Sequence, residues 1–113
     1  MTIQDIEPQN LPPETPANMK ESAAKAAAFL KTLAHEGRLM ILCHLGAGER
    51  SVGELEALLE LRQAAVSQML ARLREEGLVT TRREGKTIYY SLSDGNTAQV
   101  IELLYSQFCK ADG

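Results

Sequence analysis

The chain contains no tryptophan, aromatic residues make up only 4% of it, and no proline follows Pro16. With so few aromatic side chains the core must be built mainly from Leu, Ala, Val and Ile, which suits packed helices better than a β-sandwich. The longest apolar runs fall far short of the roughly 20 residues that cross a bilayer, which excludes a transmembrane helix. A chain of 113 residues has room for one domain.

Cysteine is equally scarce. The only two, Cys43 and Cys109, lie far apart, with no Cys-x-x-Cys pair and no Cys/His cluster. Neither a structural zinc site nor a disulfide-rich secreted scaffold is therefore indicated. The N-terminus also lacks the basic and apolar stretches of a signal peptide, so we expect a cytoplasmic protein. No nucleophile–base pair, paired carboxylate or glycine-rich phosphate loop indicates an enzyme, a metal site or a bound cofactor.

Positive charge is concentrated in one block of a chain whose formal net charge is −3. Residues 62–86 contain six basic and three acidic side chains, whereas residues 1–61 contain five basic and nine acidic ones. Phosphate binding depends on such a local patch and not on the overall charge. The pattern therefore favours nucleic-acid binding by the basic block.

Hydrophobic spacing divides the chain into a tail and one domain. Residues 1–17, which contain all four prolines, are expected to form a flexible tail, and residues 18–110 the folded domain. Four successive segments have helical spacing, and the first begins at Asn18, which with Glu21 resembles a capping box. Around Gly85 the apolar residues instead recur every second position, which predicts a hairpin, and a last helix follows.

This order, α-α-α-α-β-β-α, predicts a mainly α-helical winged helix-turn-helix fold with a small β-hairpin. Asp94 is the predicted N-cap of the last helix. The predicted inner faces of the first and last helices are Ala26, Phe29, Leu30 and Leu33, and Val100, Leu103, Leu104 and Phe108.

The third and fourth helices form the predicted DNA-reading unit. Ser51 and Glu54 form a capping box at the start of a short helix, and a turn at residues 60–62 leads into a second helix over residues 63–76. Gln and Ser side chains on that second helix can donate to and accept from base edges, and a basic hairpin tip can reach phosphates or the minor groove. The predicted DNA contacts are Gln63, Ala64, Ser67, Gln68 and Arg72 on the helix, and Arg82, Arg83 and Lys86 on the hairpin tip.

Three motifs resemble those of the ArsR family of bacterial repressors. They are residues 33–42 (LAHEGRLMIL), residues 61–68 (LRQAAVSQ), and Gly85-Lys86 followed by Tyr89, Tyr90 and Leu92. The resemblance extends over about residues 20–108. It implies a homodimer assembled through the first and last helices, bound to an inverted-repeat operator in double-stranded DNA, with repression that an inducer relieves. Arg62 departs from the pattern, because many members have at that position a Ser that caps the recognition helix.

The placement of the two cysteines resembles the persulfide-responsive SqrR/BigR subgroup of this family. The familiar metal sites of the family are missing, since the third helix has no Cys and the last helix no His. The resemblance implies that a persulfide or polysulfide inducer cross-links Cys43 and Cys109 through a di- or polysulfide and so relieves repression. The residues alone leave three alternatives open: buried core cysteines, a metal or peroxide sensor that uses the same thiols, and a winged helix used only for protein–protein contact.

Overall fold

The computed structural model describes the backbone of residues 16–93 and 95–109, and the side chains of residues 17–93 and 95–108. These residues belong to two compact units, 1–30 and 31–113. Most of the predicted tail, the predicted cap Asp94 and the side chain of Cys109 lie outside the described residues.

Five α-helices and three short strands make up the described chain. The helices are α1 (Pro16–Leu33), α2 (Glu36–Gly46), α3 (Val52–Leu59), α4 (Gln63–Glu75) and α5 (Gly95–Leu104), and a π-helical segment, Tyr105–Cys109, continues α5. The strands β1 (Arg50–Ser51), β2 (Val79–Glu84) and β3 (Thr87–Leu92) form an antiparallel sheet in the order β1-β3-β2. The predicted mainly helical fold with a hairpin is confirmed.

Strand β1 was not predicted. It has two residues, which pair Arg50 with Tyr90 and Ser51 with Tyr89. A strand of this length is too short for a period-2 pattern, and it exists only because β3 presents a free edge on that side. It joins the hairpin to the helices directly before α3 begins.

Helix α1 begins two residues before the predicted start at Asn18. Proline is favoured at a first helical position, because its fixed φ suits the helix and its missing N–H costs no hydrogen bond there. The prediction of its buried face is wrong in part: Leu33 is buried and Phe29 half-buried, but Ala26 is exposed and Leu30 is 59% exposed. Within residues 1–30 this helix is the only described element, and one helix cannot cover its own apolar side.

The core of residues 31–113 is aliphatic. Burial of each such side chain stabilises the fold by roughly 1.5–3 kcal/mol. Leu78 and Val79 are also buried at the start of β2, so the hairpin leaves the core from an anchored root. The fully buried side chains of α2, α3 and α4 are Ile41, Leu42, Leu55, Val66, Leu70 and Leu73.

The inner face of α5 differs from the predicted one. Thr97 and Ile101 are buried, whereas Leu103 is 44% exposed and Phe108, in the π-helical segment, is 82% exposed. Apolar residues occur on two sides of this helix, and helical spacing does not decide which of two apolar stripes faces inward. The prediction is therefore wrong for Leu103 and Phe108 and holds in part for Val100 and Leu104, which are half-buried.

A short network connects the end of α1 to the start of α2. His35 is the N-cap of α2, and its Nδ1 accepts a hydrogen bond from the Arg38 N–H at 3.2 Å. The Arg38 side chain reaches back, and its Nε donates to the carbonyl oxygen of Thr32 at 2.9 Å. The His-x-x-Arg spacing of the first motif is therefore a joint between two helices.

The predicted capping box of α3 is confirmed. The Ser51 hydroxyl accepts from the Glu54 N–H at 3.2 Å, and Glu54 Oε1 accepts from the Ser51 N–H at 2.8 Å. Two donors that the helix leaves without internal partners are thereby satisfied.

Replacing Ser51 by Ala should lower the free energy of unfolding by about 1 kcal/mol, because the Glu54 N–H loses its acceptor. Chemical denaturation at a fixed protein concentration measures the loss. Ser51→Thr keeps a hydroxyl at this position and is the matched control, with a clearly smaller expected loss. Equal losses in the two variants would show that the hydroxyl does not supply the stabilisation.

Candidate DNA-binding surface and sensor cleft

Helices α3 and α4 are joined by a tight turn at residues 60–62, as predicted. Glu60 adopts a left-handed conformation with φ 55°, and its N–H donates to the carbonyl oxygen of Glu56. The Leu61 N–H donates to the same oxygen at 3.2 Å. These bonds end α3 sharply and allow α4 to begin at Gln63.

Helix α4 has one buried and one exposed side. Val66, Leu70 and Leu73 are buried on the inner side. Arg72 forms an exposed ion pair with Glu76, with 3.3 Å between Nε and Oε1. The helical spacing places the predicted DNA-contacting residues on the outer side, where Ser67 is half-buried and the others are exposed: Gln63, Ala64, Ser67, Gln68 and Arg72.

The N-terminus of α4 has no side-chain cap. Arg62 occupies the N-cap position in extended conformation, and its side chain makes no capping hydrogen bond. This agrees with the expectation from the sequence that Arg cannot replace a capping Ser. The first N–H groups of the recognition helix therefore have no acceptor from the capping residue.

The wing comprises β2, the turn and β3, that is, residues 79–92. Its register pairs Arg82 with Tyr89, Arg83 with Ile88 and Glu84 with Thr87. Gly85, with φ 62°, and Lys86 form a two-residue turn, in which glycine accommodates the positive φ. The prediction that Arg82, Arg83 and Lys86 lie at the tip is therefore right for Lys86, which is in the turn, and wrong for Arg82 and Arg83, which belong to β2.

Arg82 is held by two carboxylates. Its Nη2 and Nε donate to the two oxygens of Glu49, at 2.5 and 3.2 Å, and its Nη1 donates to Glu84 Oε2 at 2.8 Å. The guanidinium also lies over the Tyr89 ring, 4.8 Å from the ring centroid. Arg83 differs: its Nε donates to the carbonyl oxygen of Gly85 at 3.2 Å.

Hydrogen bonds from Arg82 lower the pKa of the Glu49 carboxyl below its ordinary value. The carboxylates of Glu49 and Glu84 in turn raise the pKa of Arg82. A carboxyl whose pKa is lowered on folding contributes stability above its ordinary pKa and loses it as the pH falls through the lowered value. The Glu49–Arg82 pair is therefore fully charged at neutral pH.

A cleft of about 360 Å³ lies between α2, α5 and the end of β3. Cys43 of α2 is half-buried in this cleft. Tyr105, which follows α5, also lines the cleft and is 52% exposed. By helical spacing, Tyr105 lies on the opposite side of the C-terminal helix from Leu103. Apart from the carboxylate of Glu102, the lining is mainly apolar. The lining residues are Cys43, Gly46, Ala47, Leu92, Ala98, Ile101, Glu102 and Tyr105.

Cys109 is the last residue of the π-helical segment, which begins at Tyr105. A single regular helix was expected here, so this segment is a difference from the prediction. Short π-helical insertions are rare and occur frequently at functional sites. Tyr105, at the start of this segment, lines the Cys43 cleft, whereas the Cys109 side chain lies outside the described residues.

The described residues contain neither a metal-binding cluster nor a membrane-spanning helix. In that part of the chain no three His, Cys, Asp or Glu side chains are grouped so that they could hold a metal ion. No described helix is both long enough and apolar enough to span a membrane.

Residues 35–81 match the family model of the bacterial regulatory proteins of the arsR family. The chain is 54% identical over 91 residues to the biofilm growth-associated repressor of Agrobacterium fabrum, a match that covers 80% of this chain and 78% of that protein. The chain belongs to the ArsR family. It is also 50% identical over 94 residues to the transcriptional activator HlyU of Vibrio cholerae, covering 83% of this chain and 87% of HlyU.

Solved structures agree with this assignment. Reduced HlyU from Vibrio cholerae superposes with a TM-score of 0.79 at 49% identity, covering 82% of this chain and 98% of that one. The transcriptional repressor BigR from Xylella fastidiosa gives a TM-score of 0.77 at 46% identity, covering 84% and 94%. This ArsR-family chain is therefore a DNA-binding transcription regulator with a winged helix-turn-helix fold.

Replacing Arg62 by Ser should raise the free energy of unfolding by about 0.5–1 kcal/mol, because a Ser hydroxyl can accept from the first N–H groups of α4. Chemical denaturation measures the gain. Arg62→Ala removes the same side chain without supplying an acceptor and is the matched control. A gain of equal size in the Ala variant would assign the effect to the loss of Arg62 and not to capping.

Proposed function

We propose that this regulator represses transcription as a homodimer on an inverted-repeat operator, and that reactive sulfur species release it by cross-linking Cys43 and Cys109. The observation that carries the sensing half is the cleft between α2 and α5, because it gives a small reactant access to half-buried Cys43. Two relatives agree with repression and with a redox-active state. One is named a repressor, and a solved HlyU is described as reduced, which fits a regulator with a redox-active state.

The sulfur chemistry balances with a persulfide, RSSH, as the only co-reactant. The Cys43 thiolate attacks the terminal sulfur of RSSH, so that Cys43 becomes a persulfide and the thiol RSH leaves. The Cys109 thiolate then attacks the Cys43 sulfur and displaces hydrogen sulfide. Two protein thiols lose two electrons to form the disulfide, and the sulfane sulfur is reduced to sulfide. Each additional RSSH inserts one sulfur atom into the bridge and releases one RSH.

The exposed apolar side chains of two helices support the homodimer. Leu103 and Phe108 on the C-terminal helix and Leu30 on α1 are large, apolar and left uncovered by the single chain. Large apolar side chains that a single chain leaves exposed are candidates for a contact surface. A second copy would cover them and would present two copies of α4 to the two halves of an operator.

The proposed DNA contacts are the exposed residues of α4 and the basic residues of the wing. Gln63, Ser67 and Gln68 carry the hydrogen-bonding groups that read base edges. The wing supplies Arg83 and Lys86. Arg82, also predicted from the sequence, already donates to Glu49 and Glu84, with which a phosphate would compete. Ala64 allows close approach, and Arg72 would bind the backbone after leaving Glu76.

The same thiols could instead serve a metal or peroxide sensor. Two thiols are a weak metal signature, and no third ligand joins Cys43 within the described residues. Treatment with zinc or with hydrogen peroxide therefore belongs beside persulfide in the test of the inducer. The interaction-module alternative is disfavoured by membership of a DNA-binding family.

Replacing Gln68 by Ala should weaken operator binding by roughly 1–3 kcal/mol if Gln68 reads a base edge. Fluorescence anisotropy with the operator and with random duplex compares specific and non-specific affinity. Gln99→Ala, an exposed Gln on α5, is the matched control and should bind as the wild type does. Equal weakening on both duplexes would show that Gln68 does not specify sequence.

Cys43→Ser and Cys109→Ser should each bind the operator as the reduced wild type does but fail to respond to glutathione persulfide. Wild-type protein should lose affinity and gain a mass that corresponds to a bridge between the two cysteines. Operator affinity and intact mass are measured on the same samples, with zinc and hydrogen peroxide as parallel treatments. A single-cysteine variant that responds normally would rule out the pair as the sensor.

A further inference from the structure

We propose that Glu49 and Arg82 form a clamp that positions the wing for DNA binding, so that Arg82 acts as a positioning residue and not as a phosphate contact. The proposal rests on the proposed contacts of Arg83 and Lys86 with DNA. It differs from the sequence prediction, which assigned Arg82 to DNA together with its neighbour.

The hydrogen bonds of the Arg82 guanidinium are the first support for the clamp. All three of its nitrogens donate to carboxylate oxygens, Nε and Nη2 to Glu49 and Nη1 to Glu84. The contact with Glu49 is bidentate, the arrangement that fixes orientation best among Arg–carboxylate pairs. The face of the group is covered as well, because it lies over the Tyr89 ring. Three of its five N–H donors are thus used, so a phosphate would compete with two carboxylates that are already in place.

The position of the pair in the sheet carries the second step. Arg82 is in outer strand β2, whereas Glu49 lies in the connection between α2 and β1, on the far side of β3. Tyr89 of β3 is the register partner of both Arg82 and Ser51. The clamp therefore passes over Tyr89 and ties the outer strand of the wing to the segment that precedes α3.

The charge around Arg82 and the directions of the Arg82 and Arg83 side chains also support the clamp. One guanidinium with two carboxylates leaves a net negative charge, which does not attract a phosphate. Successive residues of a strand point to opposite faces of the sheet, so Arg82 and Arg83 cannot both face the same DNA backbone. The described hydrogen bond of Arg83 goes to a carbonyl oxygen and not to a carboxylate. No acidic partner therefore offsets its positive charge.

The substitution Glu49→Gln separates the two roles of Arg82, because they predict opposite signs. If the clamp positions the wing, its loss weakens DNA binding. If Arg82 instead binds a phosphate, Glu49 competes with DNA and its neutralisation strengthens binding. The probe is a duplex selected from random sequence by the wild-type protein, and its affinity is measured over a range of salt concentrations.

We expect Glu49→Gln and Arg82→Gln each to weaken binding about threefold, as for loss of one favourable exposed pair. The double variant should bind no more weakly than either single variant. The slope of log affinity against log salt should stay at the wild-type value in all three. Arg83→Ala should reduce its magnitude by about 0.9, as for loss of one phosphate contact.

Glu21→Gln is the matched control, because it removes an exposed carboxylate that pairs with Lys25 on α1, and it should bind as the wild type does. Circular dichroism and thermal unfolding check that each variant is folded. Tighter binding by Glu49→Gln, or a shallower salt slope for Arg82→Gln, would overturn the clamp while leaving the proposed function intact. An unchanged slope for Arg83→Ala would overturn the proposed wing contact itself, and the clamp with it.

Discussion

The burial of one side of α4 is the constraint on which the proposed DNA-contacting surface depends. Val66, Leu70 and Leu73 are fully buried, so rotation of the helix would expose apolar surface at a cost of roughly 25 cal/mol per Å². That cost fixes which residues face outward, and the polar Gln63 and Gln68 occupy that side. The buried side of α4 thus determines which of its side chains face outward.

The wing is held by two different kinds of interaction. At its root, Leu78 and Val79 are buried in the core, which anchors the first strand by an effect that salt hardly weakens. Farther along, the exposed Glu49–Arg82 pair is electrostatic and is screened by salt. Salt therefore leaves the root of the wing and the β2–β3 pairing in place, whereas it weakens the contact between Arg82 and Glu49.

Features with a local cause could be predicted from the sequence, and features with a distant cause could not. The Ser51 capping box depends on residues three apart, and the recognition helix on a regular apolar spacing, so both were predicted. The Glu49–Arg82 pair joins residues 33 positions apart, and nothing in the local pattern identifies the partner. The inner face of α5 failed for a related reason, because two stripes satisfy helical spacing and only packing selects Thr97 and Ile101.

The cleft at Cys43 is lined in part by the end of β3 and by the segment that leads from α2 to Glu49. Leu92 is the last residue of β3, six positions from Lys86 at the tip of the wing, and Gly46 and Ala47 stand just before Glu49 in the chain. The cleft therefore lies at the base of the hairpin, at the opposite end of β3 from the turn formed by Gly85 and Lys86.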